Sequence, residues 1–179
     1  MKNLFCSLFL ALISLGLRAA ISAEPGNVHV NFVKPENFTD FRIQGRQENV
    51  SAEIFRDQVS AYLSPLVAKR FPGDSLNLRF TDIDLAGRID LSRPRQFSNT
   101  RIDRNVASPL RMYFDYTLTD PSGKILARGS KNLVDPDYLY RYIYYSSRAR
   151  SATLFYEKAT LYRWIDTLSV SEAKLSAAK

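Results

Sequence analysis

A ten-residue alternation of apolar and polar side chains, followed at once by a turn sequence, most constrains the fold. From 110 to 119 the even positions are apolar and the odd positions are more polar, which predicts a strand with one buried face. Asp120-Pro121-Ser122-Gly123 fits a type I turn. Ile125 to Val134 follows as the partner strand. The chain is therefore expected to form an antiparallel hairpin.

Two more strands and a helix are predicted upstream of this hairpin. Asn27 to Val33 and Leu76 to Phe80 alternate with period two, as strands do. Ser51 to Phe71 carries apolar residues at helical spacing, Tyr62 included, and Pro65 predicts a kink or a fresh start within that helix. The polar stretch 36–49 has no period and predicts a loop.

The apolar phase of the second strand changes just after Phe80. A continuous strand would direct Asp82 and Asp84 into the core, whereas Ile83 and Leu85 are the apolar residues there. Either a β-bulge resets the register or the strand ends. A bulge would release both aspartates to the rim, to accept N–H bonds from the following turn or to pair with Arg79 or Arg88.

The C-terminal part reads as helix from Asp137, in two pieces, the second spanning Ala152 to Leu168. The element order is then β-α-β-β-β-α. This order predicts a two-layer α+β domain, with a mostly antiparallel sheet of about four strands packed with helices. We expect one domain over 24–170 and a polar tail over 171–179. The apolar stripe of the last helix is predicted to contain Phe155, Leu161, Tyr162, Ile165 and Leu168.

Residues 1–23 have the order of a cleavable signal peptide: a positive charge at Lys2, an apolar run from Leu4 to Leu17, then small residues. The run of about 14 residues is shorter than the roughly 20 of a bilayer span. We therefore expect export to the periplasm and no transmembrane segment in the mature chain.

Removal of this leader also fixes the charge and the redox chemistry of the mature chain. Cys6, the only cysteine, leaves with it, so no disulfide is expected. The net charge falls from +7 to +5, because only Lys2 and Arg18 leave. This basic excess permits binding to a polyanion, and the compartment argues against nucleic acid.

Three short segments resemble a known family. Phe38-Thr39-Asp40, the stretch from Thr81 to Gly87, and Tyr156-Glu157-Lys158 with Trp164 are similar to the signature of exported proteobacterial proteins known as domain of unknown function 3016. The resemblance spans essentially the whole mature chain. It implies a Gram-negative source and a periplasmic location, and it implies no activity and no catalytic residue.

A long loop over 86–109 is rich in arginine, and loops of this length in compact domains tend to be functional. Guanidinium groups bind phosphate and carboxylate well. The loop's candidate anion-binding residues are Arg93, Arg95, Arg101 and Arg104.

Tyrosines and arginines are densest between 138 and 150. On a helix, Tyr138, Tyr142 and Tyr145 would share one face. Tyrosine and arginine anchor interfaces, but a half-buried helix whose tyrosines bridge core and solvent is the favoured explanation of the segment. The candidate binding residues here are Tyr140, Arg141, Tyr144 and Arg148.

Signals for catalysis are weak. His29 is the only histidine, and no nucleophile, zinc or phosphate-loop motif is present, so no cofactor is expected. Asp82 and Asp84 are weak candidates for a divalent metal, because two carboxylates alone make a poor site. Asp135 and Asp137 either pair as acid and base or cap the helix that follows them.

Three functions remain open. The favoured hypothesis is a non-enzymatic module that binds an anionic envelope component or a periplasmic protein. The alternatives are a carboxylate- or metal-dependent hydrolase using Asp82 and Asp84, and a small-ligand carrier. The sequence leaves the oligomeric state open.

Overall fold

The computed structural model describes residues 27–89, 101–102, 109–150 and 152–169. The expected signal peptide, the C-terminal tail and most of the arginine-rich loop lie outside these residues. The strands are β1 (Val28–Phe32), β2 (Ser75–Asp84), β3 (Arg88–Ile89), β4 (Arg101–Ile102), β5 (Leu110–Thr119) and β6 (Ile125–Asp135). The helices are α1 (Glu48–Arg70), α2 (Tyr138–Arg141), α3 (Ser147–Arg150) and α4 (Phe155–Thr167).

The main sheet has four strands in the order β1-β2-β5-β6. β1 and β2 are parallel because α1 crosses over between them, and the other two pairings are antiparallel. The predicted α+β fold with its β-α-β-β-β-α order is confirmed. β3 and β4 form a separate two-stranded ribbon within the arginine-rich loop.

The predicted hairpin is present, and its turn is held by the side chain of Asp120. One carboxylate oxygen, Oδ1, accepts bonds from the Ser122 amide at 2.8 Å and the Lys124 amide at 3.0 Å. Gly123 has φ +84°, a conformation that glycine adopts without strain. Its amide donates to the Asp120 carbonyl at 2.9 Å, which closes the turn.

Helices α1 and α4 lie side by side over one face of the sheet and close a largely aromatic core. The Phe80 ring lies 5.2 Å from Phe55 of α1 and 5.1 Å from Phe114 of β5. Trp164 of α4 meets Phe114 edge-on at 4.9 Å. Within the described ranges, no helix combines the length and apolarity that crossing a bilayer requires.

The predicted restart at Pro65 is wrong, because α1 runs through this residue without interruption. Val59, Leu63 and Val67 are fully buried on either side of the proline and hold the helix against the core. Ser64 does not cap a new helix; its hydroxyl donates to the Ser60 carbonyl at 2.7 Å.

The stretch 36–49 is more ordered than the predicted loop. It contains two short 3-10 turns, and α1 already begins at Glu48. Phe38, Phe41 and Ile43 are buried in the core. Their spacing follows neither helix nor strand, so periodicity gave no sign of this packing.

The C-terminal part forms three helices instead of the two predicted, and α4 buries a different face. Tyr162, expected in the core, is 43% exposed, whereas Tyr156 and Trp164 are buried. Glu157 is also buried, at 3% exposure. A carboxylate on the core side rotates the buried face away from the purely apolar stripe.

Asp135 connects the end of β6 to two helices. It is 1% exposed, and Arg141 Nε donates to its Oδ2 at 3.2 Å, as does Arg163 Nη1 at 3.4 Å. The amide of Asp137 donates to Oδ1 at 3.2 Å. Asp137 itself makes no side-chain capping bond to α2, so these contacts favour a structural role for Asp135 over an acid–base pair.

We expect Asp135→Ala to lower the free energy of unfolding by about 1–3 kcal/mol, since it removes four hydrogen bonds to a buried carboxylate, while the freed arginine side chains can bond to water. The control is Asp115→Ala, whose carboxylate pairs with Arg79 but is 46% exposed, so the expected cost is below about 1 kcal/mol. Urea unfolding followed by Trp164 fluorescence measures both. Equal losses for the two variants would contradict the assignment.

Candidate functional site

The predicted β-bulge lies in β2, where the register with β5 shifts between Phe80 and Asp82. Ile83 and Leu85 are buried beyond it, as the bulge requires. The carboxylate of Asp82 faces the rim and accepts two bonds from Thr39, one from the amide at 2.7 Å and one from the hydroxyl at 2.8 Å.

These partners of Asp82 correct the predicted ones. The donor lies in the segment after β1 and not in the turn after β2, while Arg79 pairs with Asp115. The same segment extends the sheet, because the Asp40 amide donates to the Ile83 carbonyl at 3.1 Å. Asp82 therefore fastens the chain between β1 and α1 to the end of β2.

Asp84 lies opposite Arg111 in the β2–β5 register. Among the described residues, no group of three or more histidine, aspartate or glutamate side chains is placed to hold a metal ion. Metal binding by Asp82 and Asp84 remains a prediction, and the two bonds from Thr39 favour a structural role for Asp82.

A second set of polar contacts joins the end of β2 to the helices. The amide of Ala86 donates to Glu157 Oε1 at 2.8 Å, and the amide of Gly87 donates to the Tyr138 hydroxyl at 2.8 Å. The Tyr138 ring meets Tyr156 edge-on at 4.8 Å. We call these contacts, together with the Asp82–Thr39 contact at the exposed rim, the polar junction.

The polar junction includes residues from each of the three segments that carry the family resemblance. The family model for proteins of unknown function, DUF3016, matches residues 26–167. The chain belongs to the DUF3016 family. No curated protein and no solved structure matches it. In this DUF3016 chain, the polar residues of the resembling segments form hydrogen bonds within the protein. Thr39 bonds to Asp82, and Glu157 bonds to Ala86.

A different group of residues faces solvent on the helical layer. Gln58 and Tyr62 of α1 lie one turn apart, as do Lys158 and Tyr162 of α4, so they meet across the line where the two helices pack. Lys158 Nζ donates to Gln58 Oε1 at 3.3 Å, and the Tyr62 and Tyr162 ring centroids lie 6.3 Å apart. With Tyr145, these residues form what we call the tyrosine surface.

Tyr145 reaches this surface from the connection between α2 and α3. It packs at 5.4 Å on Phe155 and at 5.7 Å on Tyr142. The pKa of Tyr62 is raised by burial, and further by the nearby phenols of Tyr162, Tyr145 and Tyr142. The rings of Tyr62 and Tyr162 adjoin, and those of Tyr142 and Tyr145 pack on each other and on Phe155, which belongs to the same helix as Tyr162.

Lys158 is the cation of the tyrosine surface. Its ammonium lies 5.7 Å from the centre of the Tyr62 ring, and burial lowers its pKa, although the neighbouring Glu157 carboxylate raises it in part. Glu157 points to Ala86, and Lys158 forms no ion pair with any described residue. A partly desolvated cation with one neutral acceptor is suited to binding an anion.

Those sequence-predicted binding residues whose side chains the structure describes lie outside the tyrosine surface. Tyr140 and Tyr144 are 60% and 97% exposed, and Arg141 is paired with Asp135. Arg93, Arg95 and Arg104 lie outside the described residues, as do the side chains of Arg101 and Arg148. These candidates remain predictions.

Sequence reasoning missed Lys158 and assigned Tyr62 and Tyr162 to the core. The available signal was the four-residue spacing of Gln58 with Tyr62 and of Lys158 with Tyr162. This spacing places each pair on one helix face. It could not show that the two faces adjoin.

We expect Asp82→Ala to lower the free energy of unfolding by about 1–3 kcal/mol, because it removes both bonds to Thr39, and Thr39→Val to cost about 1 kcal/mol, because it keeps the amide. Thermal melts with and without millimolar calcium or magnesium supply the readout. Neither ion should raise the melting temperature of the wild type. Stabilisation of the wild type, but not of Asp82→Asn or Asp84→Asn, would establish a metal site instead.

Proposed function

We propose that this chain is an exported, non-enzymatic binding module of the periplasm that contacts an envelope component through its tyrosine surface. The observation that carries the proposal is Lys158, a partly buried cation without an ion pair to any described residue, set among three exposed tyrosines. Tyrosine offers an apolar ring and a polar tip, so it is suited to surfaces that become partly buried on binding.

The way the chain uses its carboxylates favours binding over hydrolysis. Asp82, Asp135 and Glu157 each accept hydrogen bonds from the protein itself. A general acid or base has to reach a substrate proton, and a carboxylate whose oxygens hold the fold together is poorly placed to do so.

The proposal of export rests on the leader sequence. Its charged start, apolar run and small residues have the order that signal peptidases process. The basic excess of the mature chain suits an envelope rich in anionic groups.

The binding test uses mature protein recovered by osmotic shock and co-sedimented with isolated cell envelopes. We expect the wild type to bind and Tyr62→Ala/Tyr162→Ala to lose most binding, because both rings of the surface are gone. Ile125→Ala is the control and should bind normally, since this exposed apolar side chain begins β6 and lies outside the tyrosine surface. Circular dichroism verifies that each variant folds.

Three results would count against the proposal. Recovery of the uncleaved chain in the membrane fraction would contradict export as a soluble protein. A wild type that does not sediment with envelopes would contradict the binding function. Loss of binding only in a variant with Arg93, Arg95, Arg101 and Arg104 replaced by serine would move the contact to the arginine-rich loop.

A further inference from the structure

We propose that the tyrosine surface binds an acidic saccharide, and that Lys158 is the contact for the sugar's carboxylate or phosphate group. This inference rests on the proposed binding function and names its ligand class. Three features of the surface carry it: an ammonium group without an ion pair to the described residues, a buried hydroxyl that finds no acceptor among them, and three exposed aromatic rings, all of tyrosine.

The positive charge of Lys158 favours an anionic ligand. Lys158 has three N–H donors, and the described residues offer it one neutral acceptor, Gln58 Oε1 at 3.3 Å. The nearest carboxylate in sequence, Glu157, is 3% exposed and accepts the Ala86 amide. An anionic oxygen at Lys158 would gain a charge-assisted bond without displacing an existing ion pair.

Tyr142 supplies the second feature. It is 6% exposed, and its hydroxyl has no hydrogen-bond partner among the described residues. Its ring packs edge-on against Tyr145 of the tyrosine surface and against Phe155. A buried donor without an acceptor is costly for the fold alone, and under the proposal a ligand oxygen that enters beside Tyr145 accepts a hydrogen bond from it.

The aromatic groups favour a sugar over a lipid. A pyranose ring presents C–H groups on its faces and hydroxyls at its edge, which match the ring and the phenol of tyrosine. Insertion into acyl chains instead uses aliphatic residues, phenylalanine or tryptophan. The large exposed side chains of this surface are all tyrosines, Tyr62, Tyr145 and Tyr162. Tyr62 and Tyr162 are inclined at 59°, so neither ring covers the face of the other.

The test is titration calorimetry of the mature protein with a tetramer of galacturonic acid, with the fully methyl-esterified tetramer, which is uncharged, and with acetate alone. A mannose phosphate serves as the phosphorylated probe. We expect an acidic sugar to bind at least about tenfold more tightly than the ester or acetate, since one charge-assisted bond is worth about 1.4 kcal/mol or more.

Two variants with a matched control identify the residues. Lys158→Met should weaken binding about tenfold, whereas Lys124→Met in the exposed hairpin turn should leave it unchanged. Tyr142→Phe should weaken binding while the melting temperature stays equal or rises, because it removes a hydroxyl that has no partner in the fold. A merely structural role for Tyr142 would show the opposite pattern.

Each other outcome overturns the inference. Equal affinity for the acid and the ester would show that Lys158 does not distinguish a charged sugar from an uncharged one. Affinity for acetate equal to that for the tetramer would show a simple anion site. If no sugar binds while envelopes still sediment the protein through the tyrosine surface, the proposed function stands and the saccharide assignment falls.

Discussion

The hydrogen bond from the Ala86 amide to the buried Glu157 carboxylate is the contact on which the arrangement of the helical layer depends. A carboxylate at 3% exposure is stable only where donors meet it, so the bond to Ala86 favours the rotation of α4 that directs Glu157 inward. That rotation sends Trp164 into the core against Phe114. It also directs the next residue, Lys158, outward beside Tyr62. One buried bond thus positions the candidate binding surface.

The DUF3016 signature and the candidate binding surface are largely different parts of the molecule, and Lys158 is where they adjoin. Asp82 bonds to Thr39, and Glu157 bonds to Ala86, which are long-range links between segments far apart in sequence. Such links hold loops that have no regular pairing of their own. The signature's polar residues therefore explain how the domain is assembled.

The sheet could be predicted from sequence because the alternation of apolar and polar residues along a strand indicates directly which of its two faces is buried. The hairpin followed from 110–119 and its turn, and the change of phase after Phe80 indicated either a bulge or a strand end at the point where the bulge lies. The face of α4 could not be predicted, because its rotation is set by the charged Glu157 and not by the apolar stripe. The tyrosine surface depends on α1 lying beside α4, and no local pattern encodes that contact.

The polar junction is structural and the tyrosine surface binds, and amide chemical shifts can test this division of roles residue by residue. Galacturonic acid oligomer would be added to ¹⁵N-labelled mature protein. We expect shifts centred on Tyr62, Lys158 and Tyr162, with the amides of Ala86 and Gly87 nearly unchanged. Shifts centred on the stretch from Asp82 to Gly87, with the tyrosine surface unaffected, would contradict this division of roles.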